Sequence, residues 1–219
     1  MEEAKSIKEG IEKAISLAKK RKFTQTVDMA INFKNIDFSK QDNRLKIDVI
    51  LPKPGKKRKI CLIAKDDLIA KAKGLVDGFI TPDELEEYGK NKKKAKKLAR
   101  EYDIFIAQAD LMPLVGKNLG PVLAPRGKMP TPIPPNIPNL EPIVNRMKAT
   151  VQIRSKGKYL PVVHVPIGTE DMPVDDLVEN ANTILNAVLD KLPQRETNIK
   201  NVYFKLTMGP AVKVSNIGG

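Results

Sequence analysis

At 219 residues, with 41% of them hydrophobic, the chain is long enough for one large domain or two ordinary ones and rich enough for a real core. It has no apolar run of about 18 residues, and its acidic-polar start, MEEAKSIKEG, lacks the apolar region of a secretory leader, so neither membrane spanning nor secretion is expected. Lys and Arg number 39 against 26 acids, net +13, a surplus that calls for a polyanionic partner: nucleic acid or an anionic membrane surface.

The excess is unevenly spread. Residues 60–149 carry 15 basic and 11 acidic residues, net +4, whereas the flanks carry 24 and 15, net +9. The lone Cys61 makes no internal disulfide, which suits a reducing cytosol, and its place in the apolar run ICLIA reads as a buried, inert thiol.

Ile7, Ile11, Ala14, Ile15 and Ala18 recur at helical spacing and predict an amphipathic helix over residues 2–20. It ends in Lys19-Lys20-Arg21-Lys22, a cluster suited to the negative end of a helix dipole. Val27, Met29, Ile31 and Phe33 then alternate with Thr26, Asp28, Ala30 and Asn32 and predict a strand. Phe23, ahead of the settled alternation, reads as a core residue, the alternative being an exposed ring beside positive charge. After a loop from Asn35 to Asn43, residues 44–51 predict a second strand, with Arg44 and Lys46 on its wet face. Pro52 to Gly55 break it, and Lys56-Lys57-Arg58-Lys59 reads as a solvated turn.

At Ile60 the texture changes. Ile60–Ala64 and Ile104–Ala107 are continuous apolar runs separated by helical segments: a short one capped by Asp66-Asp67, one opened by the capping-box spacing of Thr81 and Glu84, and a lysine-dense one over residues 90–100. Apolar runs alternating with helices signal a parallel sheet covered on both faces. The stretch GKNLGPVLAPRGKMPTPIPPNIP, residues 116–138, reads as an ordered loop free of helix and central strand, with Arg126, Lys128 and the backbone exposed. Residues 140–148 predict a short helix.

Residues 150–154 and 159–165 read as a hairpin about Ser155-Lys156-Gly157-Lys158, with the lone His164 on the face of Leu160 and Val162. With no second His and no Cys cluster to join it, His164 reads as structural rather than metal-ligating. Pro173, followed by Asp175 and Asp176, opens a helix whose stripe is Leu177, Ala181, Ile184, Leu185, Val188 and Leu189. Val202, Phe204 and Leu206 then form one face of a final strand, interrupted by Thr207-Met208-Gly209-Pro210 and resumed at Val212 and Val214. On the residues alone this reads as a bulged edge strand with no ligand, the alternative being a polar contact surface of hydroxyl, apolar side chain and bare backbone. The economical architecture has two domains: an α+β domain built from residues 1–59 and 150–219, interrupted by an inserted three-layer α/β domain, Rossmann-like with a parallel sheet, over residues 60–149.

One histidine and one cysteine leave almost no material for a Ser-His-Asp or Cys-His site. The phosphate-loop spacing GxxxxGK[ST] and the dinucleotide fingerprint GxGxxG are both absent, and Asp66-Asp67 and Glu84-Glu86-Glu87 read as helix-start acids rather than a magnesium site. No catalytic residue, metal or cofactor is expected. Nucleic-acid binding fits better. Aromatic residues at 5% with no Trp argue against a platform of stacked bases, leaving recognition of a folded RNA by shape, phosphate and 2′-hydroxyl. A competing reading is an α/β enzyme using a nucleotide or sugar phosphate, motivated by the Gly/Pro stretch and Lys128; a third is a basic module without RNA specificity.

Taken together, LTMGPAVKV, RKFTQTVD, IAQADLMPLVGKNLGPVLAPRGKMP and the split layout resemble large-subunit ribosomal protein family one, the family of the mobile stalk, in its archaeal form with a short N-terminus. The resemblance covers essentially the whole chain. It implies a non-enzymatic protein of the cytoplasmic ribosome, monomeric when free, whose split domain binds large-subunit ribosomal RNA. It implies that members act where deacylated tRNA leaves the ribosome and repress translation by binding their own messenger RNA. The implied RNA-binding positions are Lys22, Phe23 and Thr26 near the first strand, and Asn201, Lys205, Thr207, Met208 and Gly209 at the last; Arg44, Lys46 and His164 are further candidates. The family's Gly-Pro-Arg-Gly reads Ala124-Pro125-Arg126-Gly127 here, a departure that touches the inserted domain and not the RNA positions.

Overall fold

The computed structural model describes residues 2–38, 40, 43–55, 58–137, 139–155 and 160–215. Parts of four expected features lie outside the described residues: Ser39, Gln41 and Asp42 of the early loop, Lys56 and Lys57 of the basic turn, Pro138 of the Gly/Pro stretch, and Lys156–Tyr159 of the expected hairpin. The chain divides into two compact units, one made of Met1–Lys56 and Ala149–Gly219, the other of Lys57–Lys148.

In the first unit, strands β1 (Glu2–Ala4), β2 (Thr26–Phe33), β9 (Val162–Thr169), β10 (Ile199–Leu206) and β11 (Val212–Val214) form one sheet in the order β1-β11-β10-β2-β9. Only β1 and β11 run parallel; the other neighbours are antiparallel. Helices α1 (Ile7–Leu17) and α8 (Val174–Leu189) pack on this sheet and on each other. Val27, Met29, Ile31 and Phe33 of β2 and Val202, Phe204 and Leu206 of β10 are buried against them, while the intervening residues face the open side. Two-residue periodicity and one covered face explain each other here. A separate antiparallel pair, β3 (Lys46–Ile50) and β8 (Thr150–Arg154), completes the unit, with α8 packed on β3.

Expectations for the N-terminal helix and for the hairpin fail in this unit. Residues 2–20 are not one helix: Glu2–Ala4 form a strand on β11, and α1 starts only where the Ser6 hydroxyl accepts from Glu9 N at 3.2 Å. Three residues carry no readable alternation, and their partner lies at the far end of the chain. Nor does the basic cluster close the helix, because α1 stops at Leu17 with no basic residue in its last turn. Residues 150–154 and 162–169 do not pair as a hairpin; β8 pairs with β3 and β9 with β2. Two good strands flanking a turn signal had satisfied the local rule, but longer-range partners took both ladders.

In the second unit, β4 (Ile60–Ile63), β5 (Gly78–Ile80), β6 (Ile104–Gln108) and β7 (Thr131–Ile133) form an all-parallel sheet in the order β5-β4-β6-β7. Helices α2 (Asp66–Ala72), α3 (Pro82–Lys90), α4 (Lys92–Glu101), α5 (Met112–Asn118), α6 (Gly120–Leu123) and α7 (Glu141–Ala149) accompany it. Cys61 and Ile63 join one apolar cluster with Leu85, Leu98 and Val115; Ile60 and Leu62 join another with Leu68 and Val144. Both faces of β4 are covered, which is why its sequence is apolar without alternation. Asp66 and Asp67 occupy the first turn of α2 and do not cap it, whereas Thr81 and Glu84 form the expected capping box on α3.

The Gly/Pro stretch is a loop only in part: residues 128–130 and 134–137 are irregular, but residues 116–126 form helical turns and Thr131–Ile133 a strand. Pro121 and Pro125 each sit in the opening turn of a short helix (α6 and the single 3-10 turn Ala124–Arg126), as does Pro113 in α5 just before the stretch, and Pro132 lies in the edge strand β7. These are the positions where a missing N–H costs nothing, so a high proline count marked many starts rather than no structure.

Candidate nucleic-acid interface

The interrupting residues 207–210 do not bulge a single strand. They turn the chain, so that β11 runs back antiparallel along β10, with Val214 opposite Val202 and Val212 opposite Phe204. Neither strand is an edge, since β1 lies beyond β11 and β2 beyond β10. The one register shift in β10 falls instead between Ile199 and Asn201, at its other end. The expectation of a bulged edge strand is therefore wrong: alternation resumes after a reversal as readily as after a bulge.

The turn is fastened to the start of β2. Thr207 N donates to Thr26 O at 3.1 Å, and the Thr207 hydroxyl accepts from Thr26 N at 3.1 Å and lies 3.4 Å from Thr26 O. Gly209 N donates to Leu206 O at 3.0 Å. The Gly209 backbone packs tightly: an added Cβ would lie 3.2 Å from Leu206 Cβ and 3.3 Å from Ala18 Cβ. Met208 projects outward, 59% exposed.

Gln25 holds this arrangement from beneath, and sequence reasoning missed it. It is 1% exposed. Its Oε1 accepts from Met208 N at 3.1 Å, and its Nε2 donates to Lys19 O and to Glu170 Oε2, each at 3.2 Å. Glu170 also accepts from Gln25 N through Oε1 at 2.9 Å and donates its own N–H to Gln25 O at 3.0 Å. A polar residue is thereby buried with its hydrogen bonds satisfied, and it ties together the basic segment after α1, the segment between β9 and α8, and the turn. The available signal was its phase: Gln25 stands at the inward position two before Val27, where an apolar residue would be ordinary.

Phe23, expected in the core, is 52% exposed beside Lys20, Arg21 and Lys22, because burial begins only at Gln25. Lys22, Phe23, Thr26, Thr207, Met208 and Gly209 therefore share one neighbourhood. Lys205 and Asn201 lie on the open face of the sheet, Lys205 in register with Asp28 and Asn201 with Asn32. His164, exposed on β9, stands across Ala30 from Tyr203 on that same face. Arg44 and Lys46 are elsewhere: both are exposed, Lys46 opens β3 in the two-stranded sheet, and Arg44 Nε donates to Phe38 O at 3.3 Å.

In the second unit Lys128 is engaged internally. Its ammonium donates to Ala99 O at 3.0 Å and Tyr102 O at 2.7 Å, carbonyls at the end of α4, and lies 3.9 Å from the Asp103 carboxylate. Arg126, exposed as expected, donates to Lys96 O at 3.2 Å. The cation that motivated an enzyme reading is thus a helix C-terminal partner. Burial, with smaller contributions from the Glu84 and Glu101 charges, pushes the Cys61 thiol up to about 12, far from a nucleophile's range. No helix among the described residues is long and apolar enough to cross a membrane.

The described residues thus make up a split α+β unit that gathers cations, hydroxyls and backbone at one turn, and a parallel-sheet unit whose Lys128 caps its own helix, the two-unit build of a ribosomal protein family. The chain belongs to the ribosomal protein L1p/L10e family, whose model matches residues 13–210. It is similar to the large ribosomal subunit protein uL1 of Thermococcus kodakarensis, at 51% identity covering 94% of this chain and 95% of the relative. The same protein of Methanothermococcus thermolithotrophicus is 52% identical over 95% of this chain and 97% of its own, and that of Archaeoglobus fulgidus 48% identical over 93% and 94%.

Proposed function

We propose that this protein, a non-enzymatic large-subunit ribosomal protein working on the cytoplasmic ribosome, binds the ribosomal RNA of the mobile stalk through the surface around Thr207-Met208-Gly209. The observation that carries this reading is the meeting of two segments 181 residues apart, fastened by Thr207 on Thr26 and by Met208 on Gln25. Both segments were implicated separately by the family resemblance. At the turn, backbone, hydroxyl and an exposed thioether stand beside Lys22, a set suited to phosphate and 2′-hydroxyl contacts on a folded RNA. The Thr207 hydroxyl keeps one lone pair beyond the one that accepts from Thr26 N, and its own hydrogen has only the long contact to Thr26 O.

From the resemblance we further infer that the protein acts beside the tRNA exit site, assisting release of deacylated tRNA, and represses translation by binding a stalk-like structure in its own messenger RNA. A single surface for both RNAs makes their binding mutually exclusive. Footprinting on large-subunit ribosomal RNA tests the reading, comparing the native protein with Thr207→Val. Protection confined to the stalk and weakened by Thr207→Val at unchanged folded fraction is expected. Protection elsewhere, or a variant with native affinity, overturns it. Displacement of the stalk RNA by the protein's own messenger leader tests the repressor role, and the rate of deacylated tRNA release from ribosomes lacking the protein tests the exit-site role.

A further inference from the structure

Beside the turn lies a groove of about 520 Å³ that shares Lys22 and Phe23 with the surface proposed above. Ile15 and Ala18 at the end of α1 give it apolar lining, Lys20, Arg21 and Lys22 supply cations, Phe23 an aromatic ring, and Glu170 with Asp171 two carboxylates. Carboxylates repel phosphate, so a groove serving the RNA backbone alone would not place two acids among three cations. The mixture matches a single nucleotide: phosphate at the cations, the flat base against the ring, and hydrogen-bond donors on the base edge toward the acids. Glu170 is built for such a role. Gln25 engages each of its oxygens once, at 2.9 and 3.2 Å, fixing the carboxylate's orientation while leaving a lone pair on each oxygen.

Resting on the RNA-binding reading above, we propose that this groove takes one unpaired nucleotide of the bound RNA. Its base stacks on Phe23, and its amino group donates to the carboxylates of Glu170 and Asp171. The ligand class is an unpaired amino-bearing base, cytosine, guanine or adenine, in preference to uracil, which has no amino group. Sequence-specific RNA readers work on such splayed bases, and carboxylates accept from base amino groups. One ring serves one base, which agrees with a chain too poor in aromatics for a stacking platform. Phosphate contacts hold the RNA in place; this groove would select its sequence.

The test uses the full chain and a stalk fragment of large-subunit ribosomal RNA, with each unpaired nucleotide replaced singly by an abasic one. For the native protein, one position is expected to lose tenfold or more in affinity, the scale of one base–aromatic stack. Phe23→Ala should make loss of that base nearly silent, under twofold. Asp171→Asn should narrow the native preference for an amino base over uridine at the same position, with the salt slope unchanged because the phosphates remain. Both variants alter exposed side chains, so folding is retained. If every abasic substitution costs the native protein and Phe23→Ala the same factor, the groove holds no base and the inference falls alone. If the native protein binds the intact fragment no better than unrelated RNA, the reading under Proposed function falls, and this one with it.

Discussion

Replacing Gln25 with alanine separates presentation of the turn from contact with RNA, because Gln25 is buried beneath the turn, 1% exposed. The variant loses three side-chain hydrogen bonds: to Lys19 O, to Glu170 Oε2 and from Met208 N. At ~1 kcal/mol net each, the expected loss of folding stability is about 3 kcal/mol, with the bonds from Gln25 N to Glu170 Oε1 and from Glu170 N to Gln25 O retained. Against a typical domain stability of about 5–15 kcal/mol the protein stays folded at 25 °C. Hydrogen exchange of β2 and β10 amides across a urea series reads this unit alone. Filter binding of the stalk RNA at fixed salt is expected to show about a tenfold loss, since Met208 and Gly209 are no longer held where the RNA meets them. A stability change below ~0.5 kcal/mol would refute the hydrogen-bond account. The full stability loss with native RNA affinity would refute the claim that Gln25 presents the turn. Gln25→Glu is the companion variant. Its carboxylate still accepts from Met208 N but is buried against Glu170, so burial and like charge raise its folded pKa above the unfolded value. Its stability is therefore greatest at low pH and is lost as pH rises through that raised pKa.

Three further outcomes are expected. Affinity for the stalk RNA falls steeply with salt, and Lys22→Gln reduces the log–log slope by about 1, measured from 50 to 400 mM salt at roughly equal protein stability; an unchanged slope removes Lys22 from the phosphate contacts. Gly10→Ala destabilises the first unit despite the ~1 kcal/mol helix preference for alanine, because the new Cβ would lie 2.6 Å from Val214 Cγ2 and 3.2 Å from Phe204 Cδ2. Overpacking of that kind costs ~1–3 kcal/mol, so a net loss of about 1 kcal/mol is expected in denaturant unfolding. Cys61, its thiol raised from 9.0 to about 12, should resist alkylation at pH 8 until the protein opens. Since the folded state holds the proton more tightly, Cys61 stabilises the fold fully below the unfolded thiol's pKa and loses that contribution as pH rises toward 12, a slope that Cys61→Ala should lack.

Where the sequence was misleading, local signals either lost to distant partners or were too weakly placed to read. Residues 150–165 met the local conditions for a hairpin, yet β2 and β3 captured the two strands. Glu2–Ala4 resembled the lead-in to a helix until β11 supplied a ladder. In the stretch of residues 116–138 the prolines were counted rather than placed, and placement decides at Pro121, Pro125 and Pro132, since a proline in a helix's opening turn or on an edge strand costs no hydrogen bond. β5 is only three residues long and has a glycine at its start, so no periodicity announced it.

The sequence by itself determined the two textures and their chemistry. Alternation at Val27–Phe33 and Val202–Leu206 requires a sheet covered on one face, the apolar runs at Ile60 and Ile104 require one covered on both, and the cations cluster at Lys19–Lys22 whatever the fold. Those are properties of neighbouring residues and of burial, which a linear chain expresses directly. Only the tertiary structure decided that Thr207 meets Thr26, that Phe23 faces outward, and that Gln25 and Glu170 brace the turn. Contacts between residues 145 to 183 positions apart depend on strand order and register, which follow from the competition of all strands for partners and not from any one segment.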